Sequence, residues 1–195
     1  DDVGLHTPGG VRGLQLFRDL IEAEIMPLGV DYNTMTTLFK EGKTGMVIAG
    51  PWVFEDFRQA GVDYGFVPIP TIDGKQPRPF VGVQGFMVSS FSKNKLLAKA
   101  FLDEYVITKE TMFALFEKGQ RPPVYLPALN MVKDNDAKAI YQSASEGIPM
   151  PNIPEMNSVW SAWGNAIELV LNGKLTSQKA MDDAVGQIKT AIEKS

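Results

Sequence analysis

The side chains in this sequence best suited to holding an uncharged ring compound are its tryptophans, Trp52, Trp160 and Trp163. A flat apolar indole face matches the C–H face of a pyranose, while polar neighbours take the hydroxyls. Trp52 follows Gly50-Pro51 where a strand hands over to a helix, and in open α/β sheets ligands collect at the carboxyl ends of strands. The same position suits a core tryptophan, so both readings stay open. After Ser158 a helical wheel groups Val159, Trp163, Ala166 and Val170 on one face, a packing stripe that assigns Trp163 to the core. Trp160 lies about a quarter turn away, beside Asn157, Ser161 and Gly164, at the border of the buried face. Two well-placed indoles would make a carbohydrate site.

Other chemistry is poorly supplied. His6 is the sole histidine and there is no cysteine, so neither a histidine-based nucleophile relay nor a common zinc site can be assembled, and no metal or cofactor is expected. Gly9-Gly10-Val11-Arg12-Gly13 lacks the preceding strand and the Lys-Ser/Thr pair of a phosphate loop and reads as a helix start. Lys133-Asp134-Asn135-Asp136 has the polarity of a calcium loop without its glycine and closing glutamate, and reads as a turn between helices. Glu55, Asp56, Glu104 and Glu155 offer carboxylates, but a glycosidase needs two at a set separation across a bond, which spacing along the chain does not provide. Scattered surface acids are the plainer account.

These side chains must be positioned by a folded body. The 195 residues are 44% hydrophobic and 22% charged, an ordinary globular composition. A formal charge of -4, with no basic run, gives no footprint for nucleic acid. The longest apolar stretches, 81–90 and 166–171, are too short and too interrupted to cross a bilayer as helices. The start, Asp1-Asp2-Val3-Gly4, lacks the basic-then-apolar pattern of a signal peptide, as expected of a cytoplasmic chain or of a mature or trimmed one.

Apolar periodicity predicts an amphipathic helix over 8–26, capped by Thr7 with Pro8 in its first turn, and a second over 31–42 ended by Gly42. Residues 45–49 read as a buried strand, 53–60 as a short helix and 64–69 as another strand. The segment 80–90 is strand-like, with Gly82 and Gly85 allowing tight bends. Helices are predicted over 94–107, 109–118, 126–132, 137–147, 158–171 and 177–194, the last capped by Thr176. The pattern is that of an α/β protein.

The block Phe39-Lys40-Glu41-Gly42-Lys43-Thr44-Gly45-Met46, then Gly50-Pro51-Trp52, then Pro79-Phe80-Val81-Gly82-Val83, resembles the maltose-binding proteins in residues, order and spacing. So does Met150-Pro151-Asn152-Ile153-Pro154-Glu155-Met156 followed by Trp160. Those proteins are the extracytoplasmic sugar receptors of bacterial ABC importers, and the resemblance spans nearly the whole chain. It implies a periplasmic-binding-protein type II-like α/β fold, C-terminal portion only, helix-rich with a short mixed sheet. Residues 1–80 would belong to the C-terminal, sugar-binding lobe, 81–134 would cross over to the N-terminal lobe, and 135–195 would return.

By the same resemblance Trp52 and Trp160 match tryptophans that stack on glucose rings, and Met150 matches a methionine lining the site. Ser161 stands where the family usually has tyrosine, Gly164 where a well-known member has arginine, and Phe54 where a second tryptophan is found, with a packing role expected for it. The resemblance implies maltose or maltooligosaccharide as ligand, a membrane ABC permease as partner, a periplasmic or extracytoplasmic location and no catalysis. The alternatives are a glycoside-processing enzyme domain and a structural fragment that binds nothing by itself. In the family Phe86, Val88, Leu97, Phe101, Tyr105, Phe113 and Phe116 pack against a sheet built largely from the N-terminal part. Their exposure would drive self-association, including a domain-swapped dimer hinged at 80–85 and near Asp134, or association with the missing part.

Overall fold

The computed structural model describes residues 3–194, so the first two residues of the Asp1-Asp2-Val3-Gly4 start lie outside the described residues. Along the chain run α1 (Pro8–Glu22), α2 (Tyr32–Lys40), a 3₁₀ turn (Pro51–Val53) and α3 (Phe54–Gln59). There follow β1 (Phe80–Val81), α4 (Lys95–Phe101), a π-helical turn (Leu102–Val106), α5 (Lys109–Gly119) and α6 (Leu126–Leu129). Last come α7 (Asn135–Glu146), β2 (Ile148–Pro149), a 3₁₀ turn (Pro154–Met156), α8 (Asn157–Leu171) and α9 (Ser177–Glu193). The chain divides into two compact units, Asp1–Asp31 with Pro151–Ser195, and Tyr32–Met150.

In the first of these units α1, α8 and α9 pack on one another. Leu14 of α1, Ala162, Ala166 and Val170 of α8, and Ala180, Met181, Ala184 and Ile188 of α9 form its core. Small alanines on α8 and α9 let the two backbones approach, and Met181 and Ile188 fill the remaining space. Thr7 and Thr176 cap α1 and α9 as expected, their hydroxyls accepting from the backbone N–H of Gly10 and Lys179. Helix α8 ends on Gly173 with φ +70°, whose N–H donates to the Val170 carbonyl. Arg18 reaches from α1 to donate to the Leu171 carbonyl at 2.6 Å, satisfying an orphan acceptor of the last turn.

The second unit has two apolar centres. Val53, Phe54 and Phe57 form one with Phe39, Val47, Ala49, Val62, Tyr64, Phe66 and Ile140 around them. Phe39 and Phe57 meet at 4.8 Å between ring centroids, and Phe54 meets Phe66 edge-on at 5.5 Å. The other centre joins Phe116, Val132 and Ala137, with Phe113 against them. Phe113 and Phe116 are therefore turned inward, unlike Phe86, Leu97, Phe101 and Tyr105, which are exposed.

Arg58 of α3 ties distant segments of this unit together. One nitrogen, Nη2, lies 3.0 Å from the Asp134 carboxylate and 3.1 Å from that of Asp136, and Nη1 donates to the Gln120 side-chain oxygen. The Lys133–Asp136 stretch, read as a turn, includes the start of α7, where the Asp134 carboxylate caps the Ala137 N–H at 2.9 Å. Burial, then the charge of Asp136, pushes the Tyr64 hydroxyl up to about 12, with the nearby Arg58 opposing.

The helices follow the periodicity, and the strands do not. Residues 45–49 and 64–69 form no strand and join no ladder, and the predicted strand 80–90 shrinks to Phe80–Val81. A strand is completed by a neighbour that takes its hydrogen bonds, and among the described residues these segments have none. The sheet is one parallel pair, Phe80 opposite Ile148 and Val81 opposite Pro149. The segment 94–107 is helical from Lys95 onward but changes pitch at Leu102 into the π-helical turn, after which Thr108 caps α5.

Candidate functional site

Each candidate aromatic owes its exposure to the residues that root it. Trp52 sits in the 3₁₀ turn Pro51–Val53, where Pro51 fixes the entry angle, and the next two side chains, Val53 and Phe54, are only 2% exposed. With the chain anchored by those neighbours, Trp52 is left 55% exposed. The outer ring of its indole lies back over the Gly50 backbone, where a β-carbon would fall 2.3 Å from the Trp52 Cζ3. Phe54 packs in the core, as expected of it. Met150 directly follows β2; its backbone N–H donates to the Val81 carbonyl at 3.3 Å, and its side chain is 42% exposed.

Trp160 occupies the first turn of α8 and is 43% exposed. One turn along, Trp163 is partly buried and packs on the Leu14–Ile188 core. The two indoles stack with centroids 5.9 Å apart and planes at 27°. Ser161, beside Trp160, is exposed, and the position of a Gly164 β-carbon is open space.

Trp52 and Met150 thus belong to the unit Tyr32–Met150, and Trp160 and Ser161 to the other. Sequence left Trp52 open between core and surface, and its exposure resolves that in favour of a surface aromatic. Sequence reasoning missed Gly50 as the seat of the Trp52 ring, although the glycine in Gly-Pro-Trp was the available signal. It also missed Trp163 as the backing of Trp160, a pairing that the three-residue helical spacing implies.

His6 is exposed, as are Glu55, Asp56, Glu104 and Glu155. Among the described residues no group of three or more histidine, aspartate or glutamate side chains could hold a metal ion. No helix among them is long and apolar enough to cross a membrane. Each exposed indole offers an uncharged apolar face for contact.

Comparison with known proteins gives this geometry a setting. The chain is 32% identical to the galactooligosaccharide-binding protein of Bacillus subtilis (strain 168) over 96% of its own length and 47% of that protein. It is 30% identical to the maltodextrin-binding protein MdxE of the same organism, covering 98% of this chain and 48% of the relative. A crystal structure of a cyclo/maltodextrin-binding protein complexed with maltotetraose superposes with a TM-score of 0.86 at 35% identity, over 97% of this chain and 50% of that one. The chain therefore spans about half the length of the relatives it matches. Its fold is that of a partial type II binding protein, helix-rich with a small sheet. Residues 1–149 match the family described as bacterial extracellular solute-binding protein, and the chain belongs to that family.

Proposed function

We propose that this chain supplies part of the oligosaccharide site of an extracytoplasmic receptor serving an ABC importer, binding glucose rings of maltooligosaccharides on Trp52 and Trp160. The observation that carries the reading is that both indoles are about half exposed, while Val53 and Phe54 beside Trp52 are buried and Trp163 behind Trp160 packs on the helical core. Such anchoring provides apolar platforms at little ordering cost. Met150 and Ser161 flank them along the chain and would add an apolar edge and a hydroxyl. The relatives support the class of ligand, since they are named for maltodextrin and galactooligosaccharide and one is solved with maltotetraose. No reaction is catalysed, and the permease is the partner of the complete receptor.

Titration calorimetry of the chain with maltotriose tests this. Enclosure of a sugar by two lobes is only partly supplied here, so the expected dissociation constant is about millimolar, with Trp52→Ala or Trp160→Ala each weakening it about tenfold. Absence of any heat or fluorescence response at tens of millimolar sugar would overturn the reading. A stronger response to a galactooligosaccharide would move the ligand from glucans to galactosides. Release of glucose or maltose during the titration would replace the receptor by a glycoside-processing enzyme.

A further inference from the structure

We propose that Gly50 is a positioning residue for Trp52, required for its missing β-carbon rather than for backbone freedom. Gly50 has φ -122° and ψ -174°, extended backbone that any residue adopts. Yet a β-carbon there would lie 2.3, 2.5 and 2.8 Å from Cζ3, Cη2 and Cε3 of Trp52. Carbon atoms in contact sit about 3.5–4.0 Å apart, so the ring and a β-carbon cannot share this space. All three atoms belong to the six-membered ring of the indole, which therefore rests directly on the bare backbone of Gly50.

The seat works because the rest of the turn is fixed. Pro51 sets the backbone between the two residues, and Val53 and Phe54 hold the far side of the turn in the core. The indole is left with one supported side and, at 55% exposure, one side turned to solvent. Resting on the proposed role of Trp52 in stacking, this gives Gly50 a function in recognition. It holds the platform in one rotamer before the sugar arrives, and the ordering cost is not charged to binding.

The test is a double-mutant cycle on the whole chain, combining Gly50→Ala with Trp52→Ala. Alanine at an extended glycine position by itself is neutral or mildly stabilising, because it restricts the unfolded chain. With Trp52 present, Gly50→Ala is expected to lower Tm by about 2–4 °C; with Trp52→Ala already in place, Tm stays or rises. An equal loss in both backgrounds would overturn the inference, as would failure of both Gly50→Ala proteins to fold.

A second measurement follows the ring itself. In a Trp160→Phe, Trp163→Phe background Trp52 is the only indole, and Gly50→Ala should raise its quenching by acrylamide; unchanged quenching together with unchanged Tm overturns the proposal. The thermal cycle decides alone if that background does not fold. Maltotriose titration then separates the two readings: about fivefold weaker binding by Gly50→Ala supports both. A positive cycle beside wild-type affinity keeps the ring-on-backbone contact and sinks Trp52 as the sugar platform, and with it the recognition role of Gly50.

Discussion

Trp160 is backed by Trp163: the two indoles stack at 5.9 Å with planes 27° apart, one half-exposed and the other packed on the α1–α8–α9 core. The pair should therefore separate stability from recognition. Trp163→Ala opens part of the core and is expected to cost about 2–4 kcal/mol, whereas Trp160→Ala should cost under about 1 kcal/mol. Urea unfolding of both variants checks this, and equal losses would mean that Trp160 is a core residue.

Ile188 is fully buried where α9 meets α1 and α8. Ile188→Ala leaves a cavity among alanines that cannot shift to fill it, with an expected loss of about 3–4 kcal/mol. A loss below about 1 kcal/mol in chemical denaturation would show that the three helices repack freely.

Arg58 joins α3 to Gln120 and to the start of α7 through Asp134 and Asp136. The Arg58 side chain is about one third exposed, so solvent screens the pairs, and Arg58→Met should cost only about 1–2 kcal/mol. The gap between wild type and variant should narrow in about 1 M NaCl. A gap independent of salt would assign the loss to the stacking of the guanidinium, whose Cζ lies 5.7 Å from the Phe54 ring centroid, rather than to its ion pairs.

The buried Tyr64 hydroxyl makes no hydrogen bond among the described residues, and its pKa stands at about 12 against an ordinary 10.0. The fold thus favours the neutral phenol. Its contribution is complete below the unfolded pKa of 10.0 and is lost as pH rises towards 12. In an absorbance titration Tyr64→Phe should remove an ionisation near pH 12, and it should flatten the decline in stability between those pH values. Because the hydroxyl is unpaired, that variant should be neutral or slightly stabilising at pH 7. A large destabilisation there would reveal a hydrogen bond in solution.

Phe86, Met87, Phe91, Leu96, Leu97 and Tyr105 are between 64% and 93% exposed, a density of apolar surface that seeks cover. Light scattering at micromolar concentrations should give a mass that climbs above 21.4 kDa with concentration. A constant 21.4 kDa species would rule out self-association through this segment.

How far the fold was legible depended on where its stabilising contacts come from. Helices make their hydrogen bonds within one segment, so the stripe through Val159, Trp163, Ala166 and Val170 and the caps at Thr7 and Thr176 could be read directly. Residues 45–49 and 64–69 have strand composition, but strand formation depends on a partner that composition does not specify. Among site residues, the helical wheel placed Trp160 and Trp163 on their proper sides. Trp52 and Gly50 escaped because their relation is a side chain folding back over a turn, set by rotamer and not by periodicity.

The unladdered segments bear on how opening is distributed along the chain. Residues 45–49 and 64–69 surround a well-packed aromatic centre through their side chains, yet their backbone amides donate to no backbone carbonyl among the described residues. Packing and amide protection are therefore uncoupled here. Deuterium should enter these amides within the earliest exchange times, while those of α8 and α9 hold out until their unit opens as a whole.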